Sequence, residues 1–304
     1  MKQATVHILI TISVWLTVRT PVLANKFFNH FPDSTQTSTQ SQAIAWLDSV
    51  QRTDSSRFWI NVPPGIFFEN LRGFAISPLK FYEGRTNNFC AYSALTFLPL
   101  KNDPLGFCQF MLKLYQQGRA SYNGVNFRPG KAILLEAGLL KFKGALDLNP
   151  AAQMWFLCLA DRFKGYLNFV NRNFDKGDEN TLWASTNYAK FNRMLRKVCK
   201  QKVRARGADI IRPFINDMFS YIKERLQRGT VFLYLNNRFL YRKKHTFSRF
   251  SIPTHYIIVL DIQKIDATKI NLVYWDYGLK SLQQISPKLL RKAIFGVTHA
   301  QNVK

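Results

Sequence analysis

The chain has 304 residues, 47% of them hydrophobic and 14% aromatic. That is enough apolar material for one large domain or two small ones, and it excludes a disordered chain. Lys and Arg number 43 against 18 Asp and Glu, a formal charge of +25, which favours anionic surroundings (nucleic acid, phospholipid headgroups, acidic glycans) without choosing among them.

The first segment reads as an export signal. Lys2 precedes an apolar run at 8–18, ILITISVWLTV, too short to span a membrane as a helix. Val22 and Ala24 then supply the residues for a cut after Ala24, so the chain is expected in a periplasmic or extracellular space. Losing residues 1–24 removes only Lys2 and Arg19 among the cations, and the basic excess belongs to the folded part. No later apolar run is long enough to cross a membrane.

Residues 33–42, DSTQTSTQSQ, are a polar spacer, and 25–60 as a whole are assigned to a linker and N-terminal extension ahead of a domain at 61–304. A short helix is expected over 43–50 and a turn at VPPG, 62–65. Four helical stretches follow, at 131–146, 150–169, about 181–199, and a fourth closed by Gly229. On the fourth, Ile211, Phe214, Ile215, Met218, Phe219, Ile222 and Leu226 follow the spacing of one buried helix face. Residues 171–180 read as a polar loop.

After Gly229 the pattern changes to aromatic and β-branched runs: 230–235, 238–241, 255–262 and 270–276 are predicted strands, with a turn at 266–269. Residues 286–296 carry Ser286 as a cap, Pro287 at the first helical position and Gly296 past the end, a closing helix. A helical N-terminal half followed by an antiparallel sheet makes an α+β fold.

Four cysteines are present, Cys90, Cys108, Cys158 and Cys199. None forms a CxxC pair, so a zinc ribbon or a thioredoxin-type site is not indicated and no metal or cofactor is expected. The even count permits two disulfides in an oxidising compartment, or one at most if Cys90 works as a thiol.

Cys90 lies in TNNFCAYSAL, 86–95. Asn87 or Asn88 suits a helix N-cap, and a cysteine in the first helical turn feels the positive end of the dipole, which favours its thiolate. The same N–H groups can hold an oxyanion. Cysteine is also among the most buried residue types, so Cys90 alone favours a core thiol. His255 begins a predicted strand and Asp276 ends the next. If 257 faces 276 across the hairpin, the two are diagonal neighbours on one face, roughly 5–8 Å apart at Cβ, and the carboxylate can fix the imidazole tautomer. A one-residue slip would separate them. Outside the leader His255 is one of four histidines, with His30, His245 and His299, and His245 sits in a solvated basic loop.

Cys at a helix start, His at a strand start and Asp at the next strand's end, in that order, resemble the papain-like cysteine peptidase superfamily and within it the C39-like peptidases. NNFCAYSAL is similar to their nucleophile segment, THYIIVLDI to their His strand and INLVYWDYG to their Asp strand, and SLQQISPKLLRKAI to the helix that follows. The resemblance implies a papain-like fold in which the helices over about 128–228 are an insertion. It also implies a hydrolase cleaving peptide or amide bonds, with Cys90, His255 and Asp276 as triad. The Gln that the family carries upstream of its cysteine has no counterpart: Gly84 and Arg85 occupy that region, leaving Asn87, Asn88 or a backbone N–H as oxyanion donors. A transglutaminase-like acyl transferase shares the same residue order, and an inactive module of this fold would instead use its basic surface to bind an anionic polymer.

The expected partners are a peptide or protein substrate and an anionic polymer or membrane surface. The basic runs at 196–206 and 239–250 sit in no nucleic-acid motif, and 196–206 is expected to be a solvated helix end followed by a loop.

Overall fold

The computed structural model describes residues 36–50, 54–82, 84, 87–142, 145–146, 148–164, 173–241 and 252–302. The export signal with its cut after Ala24, His30, Arg85 and His245 lie outside them. Among the described residues no helix is long and apolar enough to cross a membrane.

The body begins earlier than the sequence pattern suggests. Helix α1 (Gln40–Ser49) opens with a capping box between Thr39 and Gln42, so the polar spacer already supplies a helix start. Ala43, Leu47 and Trp59 are buried in the main core, and the expected extension is part of the folded unit from there on. Helices α2 (Pro64–Ile76), α3 (Cys90–Asn102) and α4 (Pro104–Gln117) follow. Residues 91–100 of α3 are all buried, as suits a helix apolar on every side. A hairpin, β1 (Ala120–Tyr122) with β2 (Val125–Phe127), turns at Asn123 and Gly124, both at positive φ, the conformation an Asn-Gly pair adopts readily.

The long helix expected at 131–146 is only α5 (Lys131–Glu136), after which the chain makes a small hairpin, β3 (Lys141–Phe142) with β4 (Ala145–Leu146). Gly138 at φ +97 breaks it, with its missing side chain allowing close approach to Asn61 O. Helices α6 (Pro150–Arg162) and α7 (Tyr188–Lys197) are shorter than expected. The stretch after α7 is no loop: β5 (Gln201–Gly207) is a strand.

The expected helix from Ile211 is reduced to α8 (Met218–Leu226), capped by Asp217. Pro213 disfavours helical backbone at Arg212, and the periodic positions Ile211 and Phe214 are 73% and 92% exposed, not buried. Strand β6 (Thr230–Leu235) agrees with the pattern, whereas 238–241 is a short helix, α9 (Arg238–Tyr241), not a strand. Then come β7 (His255–Lys264), β8 (Ile270–Asp276), β9 (Leu279–Ile285), α10 (Pro287–Ala293) and β10 (Ile294–Asn302). The closing helix ends at Ala293, before Gly296, because the chain passes straight into β10.

These elements form a mixed α+β architecture around a six-stranded antiparallel sheet in the order β5-β10-β6-β7-β8-β9. Phe232, Tyr234, Tyr256, Ile258 and Trp275 face the core shared with helices α1–α4, α6 and α7. Val231, Leu233, Ile257, Val259 and Tyr274 face a second core closed by Met218 and Ile222 of α8 and Leu290 of α10. Both faces are covered, which explains the unbroken apolar runs of β6 and β7.

Gly296 is required by packing. A Cβ there would lie 2.4–2.8 Å from ring atoms of Tyr188. That ring cannot retreat, since it stacks on Tyr234 and its hydroxyl bonds Arg206 O and Thr298 Oγ1. Gly296→Ala is expected to cost about 1–3 kcal/mol by overpacking, read as a lower urea midpoint at unchanged slope; an unchanged midpoint would show that the α7–sheet contact is looser than its geometry implies.

Candidate active site

The β7–β8 hairpin decides where His255 points. From Lys264↔Ile270 to Asp261↔Val273 the strands pair in one register, and from Val259↔Tyr274 to Ile258↔Trp275 in another. Leu260 is the extra residue between them, a β-bulge. Continuing the second register sets Ile257 opposite Asp276, so His255 and Asp276 share a face as diagonal neighbours. Without the bulge, Ile258 would oppose Asp276 and the carboxylate would lie on the other face from His255.

The two side chains meet: His255 Nε2 is 2.5 Å from Asp276 Oδ1, with both residues at most 3% exposed. Burial disfavours charge on either partner, pushing the His255 imidazole down and the Asp276 carboxyl up. The shifts act together to keep one proton shared between the two in a net-neutral pair. With Nε2 turned to the carboxylate, Nδ1 is the nitrogen that carries the hydrogen away from it. Tyr277 follows Asp276 at φ 48 and stacks on the His255 ring at 5.2 Å between centroids. A tyrosine with left-handed backbone is strained, and here it is held in a tight turn with Gly278 at φ 73.

Cys90 is the first residue of α3, which packs against β7. Neither Asn87 nor Asn88 is the N-cap: Phe89 holds that position without a side-chain hydrogen bond. Asn87 instead sets the entry by accepting from the Phe89 N–H at 3.1 Å. Asn88 donates its side-chain amide to Thr181 O at 2.8 Å and its backbone N–H to Glu179 O. That amide, expected as an oxyanion donor, is instead engaged within the protein. Cys90 lies close enough to Tyr256, the neighbour of His255, and to Tyr92 to act on both electrostatically. The helix start and the His–Asp pair thus lie near the same end of β7 but on different faces: His255 and Asp276 share the face of Ile257, and Cys90 packs with the core of Tyr256.

No cysteine forms a disulfide. Cys108, Cys158 and Cys199 are buried, and burial pushes each thiol up, Cys108 to about 12. Cys90 is the partly exposed one of the four. Among the described residues no cluster of His, Cys, Asp and Glu could hold a metal ion.

One residue beside this site carries no sequence signal. Lys190 on α7 is 1% exposed, with Nζ donating to the Tyr92 hydroxyl at 2.7 Å and to Ser185 O at 3.3 Å. Tyr92 in turn donates to Ala184 O. Among the described residues no carboxylate pairs with Lys190, and burial, helped by Arg193 and Lys164, pulls it down to about 7. Its neighbours are strewn through the sequence, so only the fold makes it a buried amine under the first turn of α3.

Comparison with models of known families, with characterised proteins and with solved structures returns no match.

Lys190 predicts a pH dependence. Its folded value lies below its ordinary 10.5, so between about 7 and 10 the unfolded chain binds the extra proton and stability rises with pH. The full contribution is on the order of 5 kcal/mol. Lys190→Met is expected to abolish this part of the slope, read as the difference between wild-type and variant melting curves across that range. Parallel curves would show that Lys190 stays hydrated.

Proposed function

We propose that the chain is a papain-like, C39-like cysteine hydrolase acting on peptide or amide bonds, exported after cleavage at Ala24, with Cys90 as nucleophile, His255 as acid and base, and Asp276 as the group that orients the imidazole. The observation that carries the reading is the buried His255–Asp276 pair at the end of the strand on which the Cys90 helix packs. That Cys90 alone among the thiols escapes burial supports it.

The chemistry follows from the proton count. A net-neutral His–Asp pair keeps a hydrogen on Nδ1 that can donate to a Cys90 thiolate, whose negative charge is favoured by the first-turn N–H groups of α3. The thiolate attacks the amide carbonyl, forming a C–S bond, while backbone N–H groups of that turn and Asn87 hold the oxyanion. As the C–N bond breaks, Nδ1–H passes its proton to the leaving amine. The imidazole then takes a proton from water as the oxygen attacks the thioester, and C–S cleavage restores the thiolate and acid. Asp276 stays ionised beside the imidazolium or shares its proton, and in either form it fixes the tautomer.

Iodoacetamide is expected to label Cys90 in the folded protein, while Cys108, Cys158 and Cys199 react only on unfolding. His255→Ala should slow Cys90 labelling at neutral pH by at least about tenfold, since it removes the Nδ1–H donor that stabilises the thiolate. Uniform labelling of all four thiols, or an unchanged Cys90 rate in the variant, would rule the triad out.

A further inference from the structure

The loop between β5 and α8 presents the most exposed large apolar side chains among the described residues: Ile210 is 82% exposed, Ile211 73% and Phe214 92%. The loop is not loosely attached. Ala208 N–H donates to Phe295 O and Ile211 O, Asp209 accepts from Tyr188 N–H at 2.8 Å, and Arg212 Nε donates to Lys292 O at 2.8 Å. The Arg212 guanidinium also covers the Phe295 ring at 4.3 Å, and Pro213 and Ile215 are buried. Anchored positions thus alternate with outward ones, and three large hydrophobes are held in water although burying each would gain roughly 1.5–3 kcal/mol.

Cations frame them. Lys202, Arg204 and Arg206 are exposed along β5, the edge strand that leads into the loop, and Lys292 is exposed beside the Arg212 contact. The acidic groups nearby are Asp209, engaged with Tyr188, and Asp217, which caps α8. We propose that this loop docks the protein on an anionic phospholipid bilayer, with Ile210, Ile211 and Phe214 entering the headgroup–acyl boundary and the basic edge strand lying on the charged surface. Apolar side chains at a rigid tip, flanked by lysine and arginine in a chain of net charge +25, match the two terms that bind peripheral proteins to membranes: buried apolar area and attraction to anionic lipid. The inference does not depend on Cys90 being a nucleophile.

Sedimentation with phosphatidylcholine vesicles, with and without phosphatidylglycerol, tests it. Wild type is expected to bind the anionic vesicles and hardly the neutral ones. The variant Ile210→Ser/Ile211→Ser/Phe214→Ser, with unchanged circular dichroism and melting temperature, should lose at least about tenfold in partition coefficient. A Phe214→Trp variant should be quenched by brominated acyl chains. If wild type ignores anionic vesicles, or the triple variant binds them equally well, the proposal fails. It fails likewise if the triple variant converts a dimer to a monomer while vesicle binding persists, since the loop would then contact a second copy of the chain.

Discussion

The extra residue Leu260 in the β7–β8 pairing governs which face His255 and Asp276 occupy at the end of the sheet. Side chains alternate along a strand, so a single unpaired residue exchanges the faces of all that follow it. Below the bulge Ile262, Ile270 and Leu272 face the α8 side, and above it Ile257, Val259 and Tyr274 do. The core is therefore continuous across the irregularity although the parity of β7 changes. That continuity carries His255 and Asp276 to one face and permits their contact. The turn after Asp276 adds a second constraint, since Tyr277 holds left-handed backbone while its ring lies against His255.

Around this end the helical layer is organised by buried polar contacts. Lys190, Tyr92 and the carbonyls of Ala184 and Ser185 tie α7 to the first turns of α3, and Asn88 ties the segment before Cys90 to Thr181. Trp275 Nε1 donates to Leu79 O from the sheet side. Lys190, Tyr92, Asn88 and Trp275 each donate to a named acceptor, and a network of this sort specifies one geometry more strictly than apolar packing does. The start of α3 is thereby tied to α7 and to the Thr181 segment, and the stretch before it to β8.

Much of this was legible in the sequence, for identifiable reasons. Strands β6 and β8 follow from β-branched and aromatic runs, and the pairing of Ile257 with Asp276 follows from a hairpin count. That count assumed a loop of 265–268; the loop runs 265–269, and the bulge at Leu260 removes the one-residue difference. The misjudged elements share a cause. The spacing of Ile211 and Phe214 with Ile215 and Met218 imitates one helix face, but Pro213 interrupts it, and periodicity carries no information about which apolar residues find a core. Strands β5, β9 and β10 went unrecognised because their charged and small residues fit a sheet only when neighbours supply the hydrogen bonds. Helix α4 did carry local signals, Asp103 as cap, Pro104 at the first position and Gly118 at the end.

The sequence by itself determined the mixed α+β composition, the order of Cys90, His255 and Asp276, and the basic excess. These properties are local or compositional, set by residue type and spacing. Only the tertiary structure decided that His255 and Asp276 touch, that three thiols are buried and Cys90 is not, that Lys190 lies under the Cys90 helix, and that Ile210, Ile211 and Phe214 stand in solvent. Each of these depends on which distant segment packs beside a residue, and that is settled by strand register and by burial, neither of which a residue type can specify alone.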